Sequence, residues 1–403
     1  MKKHSRGAGA IALAAATLAA ALAPAGAQAQ DKLKIGFITD MSSLYADVEG
    51  KNGALAIQMA IDDFGGKVNG MPIELLTADH QNKADIAASK AREWIDTQGL
   101  TMLFGGTSSG TGLAMAKVAQ EKKRVFVVNG AGSSVLTNEQ CSPYTVHYAY
   151  DTVALAKGTG SAVIARGDRS WYFLTADYAF GQALEADAGK VVREKGGSVL
   201  GSVRHPLNTS DFSSYLLQAQ NSKAQVLALA NAGGDTINAI KAAREFGIGK
   251  TMKMVGLLVF VTDVHSLGLK TTEGLLLTTS WDWNLDEKTR AFGRRFFEKT
   301  KRMPTDIQAA DYSATTTYLK AVQAAKTIDA DTVMARIKST PIDDFYAKGF
   351  VRADGRFVHD MYLVQVKSPA ESKEPWDYYK VVQKLKGEDV FTTKAESRCA
   401  LWK

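Results

Sequence analysis

The chain is poor in the residues that metal centres require. It has two cysteines and six histidines in 403 residues, and no histidine stands in H-E-x-x-H or a comparable ligand spacing. We therefore expect neither a metal site nor a cofactor. Cys141 and Cys399 form an even pair. In an oxidising compartment we expect them to form a disulfide that pins the C-terminus to the middle of the chain.

Runs of positive charge and long apolar runs are equally scarce. The formal net charge is +7, but no run of five lysines or arginines occurs, which argues against nucleic-acid binding. The apolar stretch 11–22 follows Lys2, Lys3 and Arg6 and precedes the A-x-A site at 27–29. No second apolar span follows. This pattern predicts a signal peptide over residues 1–29, cleaved after Ala29, and hence an exported, periplasmic protein.

The rest of the chain contains a predicted α/β unit that is repeated once. Residues 33–129 predict four strands alternating with three helices, and residues 169–258 repeat that order with matching spacing. Such alternation is typical of parallel sheets covered by helices on both faces. Ligands of such sheets bind outside the carboxyl ends of the strands. Two such lobes facing one another would form a clamshell with a ligand between them.

The turn 106–110 is compatible with two functions. Its free N–H groups and hydroxyls at a helix start suit an anion. It also spells G-x-S-x-G, the nucleophile elbow of serine hydrolases, with Ser108 as nucleophile and Asp311 and His359 following as acid and base. No His-Gly oxyanion motif precedes the elbow, and the segment 354–360 around His359 looks like a hairpin. No dinucleotide or P-loop motif occurs either. We expect binding rather than catalysis.

Four segments, taken in order behind a signal peptide, carry a family resemblance. They are Ile35-Gly-Phe-Ile-Thr-Asp-Met-Ser42, Phe104-Gly-Gly-Thr-Ser-Ser109, Val128-Asn-Gly-Ala-Gly-Ser133 and Asp177-Tyr-Ala-Phe-Gly181. Together they resemble the periplasmic solute-binding proteins of ABC transporters, specifically the leucine/isoleucine/valine-binding (type I) family. The resemblance covers most of the mature chain.

The resemblance implies two doubly wound, Rossmann-like lobes joined by three hinge crossings. We expect crossings near Ala149, Thr279 and Asp343. The implied lobes are residues 31–149 with 280–343, and residues 150–279 with 344–403, which include a C-terminal extension. The resemblance also implies a monomer that binds a small solute by lobe closure and delivers it to a membrane ABC permease.

The resemblance further implies how the ligand is held. Its carboxylate would be bound by Ser109, beside Ser108, and by the amides of Gly130 and Gly132. Amino-acid binders of the family place an acid after the fourth strand of the second lobe, where this chain has Leu257 and Leu258. A ligand ammonium buried there would lack a partner.

Aromatic residues follow several of the predicted strand ends. Tyr45, Tyr178, Phe180, Trp281 and Trp283 are therefore expected at the cleft, where a ring hydroxyl of the ligand could meet Asn231 or Asp311. Together with the missing acid, they favour the aromatic-acid-binding branch and a ligand such as a benzoate or a hydroxycinnamate. Branched-chain amino acids, amides or another small polar solute remain the alternative.

Overall fold

Strands and helices alternate along residues 32–403, the part of the chain that the computed structural model describes. The predicted signal peptide and its cleavage site lie outside the described residues. The strands are β1 Leu33–Thr39, β2 Lys67–Val68, β3 Met71–Asp79, β4 Met102–Gly105, β5 Val125–Val128, β6 Thr145–His147, β7 Ser170–Ala176, β8 Ser198–His205, β9 Val226–Ala230, β10 Lys253–Gly256, β11 Leu276–Thr279, β12 Ile342–Asp343, β13 Lys348–Val351, β14 Phe357–His359, β15 Met361–Val366 and β16 Tyr379–Leu385.

The helices, the longest of which lies in the C-terminal third of the chain, cover the sheets. They are α1 Gly50–Asp63, α2 Ala84–Gln98, α3 Ser109–Lys122, α4 Thr152–Leu155, α5 Ser161–Ala165, α6 Ala179–Glu194, α7 Ser213–Asn221, α8 Gly234–Glu245, α9 Val261–Leu267, α10 Leu269–Thr272, α11 Glu287–Thr300, α12 Asp306–Ala325, α13 Ala330–Ser339 and α14 Gly387–Val390. None of the helices in residues 32–403 is long and apolar enough to cross a membrane.

The two largest sheets have the same strand order. The first runs β2-β3-β1-β4-β5-β6 and the second β10-β9-β7-β8, so that β3-β1-β4-β5 corresponds to β8-β7-β9-β10. Within these matched strands every pairing is parallel. The predicted fold class is confirmed: the chain is an α/β protein with parallel sheets in two lobes.

Parallel pairing also decides where polar turns can gather. Parallel strands are joined by crossover helices that carry the chain back to the starting edge, so the carboxyl ends of the parallel strands in a sheet lie at one edge. In the first sheet these ends include Thr39, Gly105 and Val128; in the second they include Ala176 and Ala230. The inner strands β1, β4, β5, β7 and β9 consist almost wholly of buried residues, as expected of strands covered on both faces, whereas β3 and β8 are only partly buried.

The C-terminal region adds two small sheets and a long helix. Strands β11-β15-β16 form one antiparallel sheet and β12-β13-β14 the other. Helix α12 packs along α1 and begins with a capping box, in which the Thr305 hydroxyl accepts from the amide of Gln308 and the Gln308 side chain accepts from the amide of Thr305. The hairpin expected around His359 is present as β13–β14.

The predicted disulfide is present. Cys141 and Cys399 are bonded across 258 residues of sequence, with Cα atoms 5.7 Å apart. Beside it, Arg398 forms an ion pair with Glu139 at 2.6 Å, and its amide donates to the side-chain oxygen of Asn138. The link therefore fixes the C-terminal segment to the loop before β6.

Removing this link should destabilise the protein. Closure of so long a loop restricts the unfolded chain strongly, so the variant Cys141→Ser/Cys399→Ser should lose about 2–5 kcal/mol of unfolding free energy. Urea unfolding followed by circular dichroism measures the loss. Reductant should lower the stability of the wild type and leave the double variant unchanged. Equal stability of the two proteins without reductant would contradict the prediction.

Candidate functional site

A small cavity, with about 10 Å³ of free space, lies where the strand ends of the two lobes meet. Seven of the predicted ligand-binding residues line it. They are Tyr45, Ser109, Gly130, Gly132, Tyr178, Phe180 and Leu258. Val48, Thr107, Tyr150, Ala232 and Phe260 complete the lining. All of these residues follow carboxyl ends of strands or lie in the segment after β6, as the parallel topology requires.

One wall of the cavity is built from hydrogen-bond donors. Ser109 opens α3, and its hydroxyl oxygen accepts from the amide of Ser133 at 3.0 Å, which leaves the hydroxyl hydrogen available to a ligand. The carbonyl groups of Gly130 and Gly132 are paired with Tyr150 and Thr152. The N–H groups of both glycines, and that of Ser109, have no acceptor among residues 32–403. A helix N-terminus with such free N–H groups suits an anion.

Close packing explains why two glycines stand in this wall. A β-carbon on Gly130 would lie 2.9 Å from the Cα atom of Thr107, and one on Gly132 would lie 2.9 Å from the rings of Phe180 and Tyr150. A side chain at either position would push the neighbouring wall into the cavity. The backbone N–H groups can approach a ligand here because no side chain covers them.

The opposite wall is apolar. Phe180, Ala232, Leu258 and Phe260 come from the second lobe, after β7, β9 and β10, and each is almost fully buried. Leu258 is 4% exposed and lines the cavity, at the position where amino-acid binders of the family are expected to carry an ammonium-binding acid. None of the residues that line the cavity is an aspartate, glutamate, lysine or arginine.

Two tyrosines close the cavity from opposite lobes. The hydroxyls of Tyr45 and Tyr178 are hydrogen-bonded at 2.7 Å. Burial raises the pKa of both hydroxyls, so both remain neutral. The loop that carries Tyr45 is held by Asp40, whose carboxylate accepts from the amides of Ser43 and Tyr45. It also packs on the start of α8, where a β-carbon on Gly233 would lie 2.9 Å from the Leu44 carbonyl oxygen.

Three residues predicted at the ligand site, Ser108, Asn231 and Trp281, lie outside the cavity lining. Ser108 precedes α3, and its hydroxyl is paired with Thr111. Asn231 is fully buried, and its side chain contacts His205 and Thr236. The side chain of Asn231 is thus occupied within the second lobe and cannot serve a ring hydroxyl in this arrangement.

The tryptophans expected at the rim are core residues. Trp281 donates to the carbonyl oxygen of Phe345 at 3.3 Å and packs against Phe292 and Phe345. Trp283 donates to the carbonyl oxygen of Trp376. Both are at most 2% exposed. Their indole N–H groups are satisfied by backbone, which is how a buried tryptophan is usually accommodated.

The three residues that could have formed a hydrolase triad have other partners. His359 places both ring nitrogens near backbone carbonyl oxygens, those of Asp360 on one side and of Tyr148 and Ala149 on the other. Asp311 accepts from Asn129, and Ser108 pairs with Thr111. Nucleophile, base and acid must form a hydrogen-bonded series, and in residues 32–403 no hydrogen bond joins these three.

Sequence reasoning missed two polar residues of the lining. Thr107 stands in the turn already singled out, next to the serines, and only the helix phase tells which hydroxyl faces the cavity. Tyr150 lies in the first predicted crossing, and its hydroxyl donates to the Gly130 carbonyl at 2.9 Å. The position of this aromatic residue, shortly after the short strand β6, is the sequence signal that could have identified it. Among residues 32–403 no cluster of three or more His, Cys, Asp or Glu could hold a metal ion.

The fold and a closed cavity between two lobes define an extracytoplasmic solute-binding protein. Residues 32–373 match the family model described as periplasmic binding protein, and the chain belongs to that family. The family implies an exported, periplasmic protein of the ABC-transporter type. The chain is 28% identical to the Leu/Ile/Val-binding protein homolog 6 of Brucella melitensis over 68% of this chain and 69% of the relative.

Solved structures agree with the family assignment. A periplasmic binding protein from Burkholderia mallei is 67% identical, with a TM-score of 0.92 over 93% of this chain and 100% of that one. A branched-chain amino acid ABC transporter periplasmic ligand-binding protein from Burkholderia xenovorans is 41% identical, with a TM-score of 0.83 over 92% and 100%. A solute-binding protein from Rhodopseudomonas palustris, in complex with 3,4-dihydroxybenzoic acid, is 22% identical, with a TM-score of 0.81 over 89% and 98%, and shares the fold.

The hydrogen bond between the hydroxyls of Tyr45 and Tyr178 should give a measurable coupling energy between the two positions. Tyr45→Phe and Tyr178→Phe should each lower the unfolding free energy of the ligand-free protein by about 0.5–1.5 kcal/mol, because each removes the same hydrogen bond. The double variant should lose little more than either single variant.

Urea unfolding of the four proteins gives the coupling energy. Tyr215→Phe is the matched control. Its ring packs against Phe212, but its hydroxyl has no hydrogen-bond partner among residues 32–403, so removal of the hydroxyl should change little. Strictly additive losses at positions 45 and 178 would show that the two hydroxyls do not interact.

Proposed function

We propose that this protein binds an aromatic carboxylate, of the benzoate or hydroxycinnamate type, and delivers it to an ABC permease. One observation carries the proposal: the cavity has three residues with unpaired donors on one wall and no charged side chain on any wall. A carboxylate would accept from Ser109, Gly130 and Gly132. The remainder of such a ligand needs only apolar contacts, which Phe180, Leu258 and Phe260 provide.

The cavity is nearly filled in this closed arrangement. The free space between its walls is about 10 Å³, far below the roughly 300–1,000 Å³ that is usual for ligand pockets. Binding of a single ring that bears an acid group would therefore require the walls that carry Tyr45 and Tyr178 to move apart. Ring contacts with Phe180 and Phe260 would each contribute about 0.5–1.5 kcal/mol beyond the burial of apolar area.

We infer that capture occurs by closure about crossings near Ala149, Thr279 and Asp343, with lobes of residues 31–149 plus 280–343 and 150–279 plus 344–403. A series of buried hydrogen bonds links the segment at the second crossing, near Thr279, to the segment at the third, near Asp343, and supports this arrangement. Ser280, directly after β11, donates to Asp306 at 2.7 Å and accepts from Tyr346 at 2.9 Å.

Branched-chain amino acids are the second candidate, favoured by the description of the Burkholderia xenovorans relative. The acid that acts electrostatically on both Tyr45 and Tyr178 is Asp235. Its carboxylate oxygens accept from the amides of Asn208 and Thr209, and burial raises its pKa to about 6. An ammonium group would therefore compete with two backbone donors for an acid outside the lining.

A ligand screen by thermal shift separates the two candidates. Benzoate, 4-hydroxybenzoate and 4-hydroxycinnamate should stabilise the protein, whereas L-leucine and L-valine should not. At about one hundred times its dissociation constant, a true ligand adds about 2.7 kcal/mol to the unfolding free energy. Stabilisation by leucine and by none of the aromatic acids would reject the aromatic carboxylate. In that case Asp235→Asn should abolish the effect of leucine.

Adjacent serines provide a matched pair for testing the donor wall. Ser109→Ala should weaken binding of the aromatic acid found in the screen by about 1–3 kcal/mol, since a buried carboxylate oxygen loses a donor. Ser108→Ala, whose hydroxyl pairs with Thr111 outside the cavity, should change the dissociation constant by less than about twofold. Isothermal titration calorimetry measures both. Equal effects of the two substitutions would contradict the assignment of Ser109.

A further inference from the structure

Two fully buried carboxyl groups lie directly behind the donor wall of the cavity. Glu49 precedes α1, and Asp311 lies in the second turn of α12; both have 0% exposure. Neither lines the cavity. Buried carboxyl groups without a cation are costly in their ionised form, so their state needs a physical explanation.

The two acidic side chains approach one another beside Gly53 of α1. The position that a β-carbon on Gly53 would occupy is 2.5 Å from Oδ2 of Asp311 and 3.1 Å from Cγ of Glu49, the methylene next to its carboxyl group. That space is therefore occupied by the carboxyl group of Asp311 and the methylene of Glu49, and only glycine fits there. The charge of Glu49 also acts on Asp311. Oε1 of Glu49 and Oδ2 of Asp311 are both buried and have no hydrogen-bond partner among the described residues.

The remaining oxygens of the pair reach the two turns that form the donor wall. Oε2 of Glu49 accepts from the Thr107 hydroxyl at 2.5 Å and also from Thr39. Oδ1 of Asp311 accepts from Nδ2 of Asn129 at 2.6 Å. Thr107 lines the cavity, and Asn129 directly precedes Gly130. A change in the protonation of Glu49 or Asp311 would thus act on the turns at Thr107 and Asn129.

The charges around the pair make full ionisation unfavourable. Asp40, at the end of β1, adds a further negative charge that acts on Glu49, and Tyr150 is the other titratable group that faces Glu49. Within residues 32–403 no lysine, arginine or histidine is paired with Glu49 or Asp311. Burial, above all, raises the pKa of Glu49 to about 7 and that of Asp311 well above its usual range.

We propose that Glu49 and Asp311 share one proton at neutral pH, that this proton joins α1 to α12 and so positions the turns at Thr107 and Asn129, and that its loss weakens binding of the ligand anion. The shared proton supplies the hydrogen bond that the two unpaired oxygens lack. Glu49 and Asp311 are positioning residues, because they act on the ligand through the turns. The last part of the proposal rests on the proposed function.

The coupling has a defined sign. A negative ligand beside the pair disfavours a second negative charge there, so anion binding raises the affinity of the pair for its proton. By linkage, the protonated pair binds the anion more tightly than the ionised pair. Affinity should therefore fall as the pH rises through neutrality, although a benzoate carboxyl is ionised over that whole range.

The shared proton can be tested without any ligand. In protein labelled with carbon-13 at the glutamate carboxyl carbons, one resonance should titrate near neutral pH, and it should change in Asp311→Asn. Titration of every glutamate below about pH 5.5 would overturn the proposal. This arm uses the folded wild type, so it does not depend on the folding of a Glu49 variant.

Stability gives a second ligand-free measurement. A carboxyl group whose pKa is raised by folding binds more protons in the folded state, so its contribution declines as the pH rises from the unfolded value towards 7. The ratio of folding equilibrium constants, wild type over Glu49→Gln, should fall by at least about tenfold between pH 5 and pH 7.5. Against the exposed control Glu298→Gln the ratio should stay within about twofold. A constant ratio for Glu49→Gln would overturn the proposal.

The ligand arm uses benzoate and L-leucine as probes in calorimetry at pH 6 and pH 8. The dissociation constant of the probe that binds should rise at least about threefold in the wild type and in Glu298→Gln, and not in Glu49→Gln. Equal constants at both pH values in the wild type would overturn the coupling. Failure of benzoate, 4-hydroxybenzoate and 4-hydroxycinnamate alike to bind would reject the proposed function, whereas the resonance and stability measurements would still decide whether the proton is shared.

Discussion

The buried guanidinium of Arg356 fixes the chain at the first predicted crossing. It is fully buried and donates to the carbonyl oxygens of Tyr148, Tyr150 and Phe357 at 2.6–3.0 Å. Asp151 lies 3.8 Å away as its counter-charge. A buried charge is tolerated only when it is paired and hydrogen-bonded, so this segment has one arrangement that satisfies Arg356. The hydroxyl of Tyr150 then reaches Gly130, and the donor wall depends on that contact.

His359 strengthens the same constraint. One of its ring nitrogens lies 2.7 Å from the Ala149 carbonyl oxygen and 3.2 Å from that of Tyr148. Burial and the neighbouring Arg356 lower the pKa of His359 to about 4, so the imidazole stays neutral beside the guanidinium. The crossing is therefore held by groups from the C-terminal hairpin. This explains why residues far along the chain are needed for a site whose lining ends at Phe260.

Sequence reasoning recovered the architecture because parallel α/β units leave two clear signals: apolar strands and glycine-closed helices at regular spacing. It also placed seven of the twelve lining residues, because strand ends can be read from the same pattern. It failed where a strand end alone does not tell direction. Trp281 follows β11 but turns into the core, where its N–H finds a backbone carbonyl. Ser108 and Ser109 differ by one residue, and only the helix phase decides that Ser109 faces the cavity.

Acids near the cavity were harder to predict, because none of them lines it. Four of them surround it: Asp40, Glu49, Asp235 and Asp311. Each accepts hydrogen bonds from residues that shape a wall or the loop behind it. Carboxylate oxygens are strong acceptors and hold N–H and O–H groups firmly, which makes them useful in turns that must present free donors nearby.

That arrangement also has an electrostatic consequence for the ligand. An anion bound at Ser109, Gly130 and Gly132 meets only neutral donors, while the nearest charges behind the wall are acidic. Its stabilisation must therefore come from hydrogen bonds and the end of α3 rather than from a cation. Such a site holds a single negative charge adequately, but each further negative charge, on the ligand or on Glu49, is disfavoured. For the proposed ligand, the absence of a cation from the walls would therefore favour a monocarboxylate over an anion of higher charge.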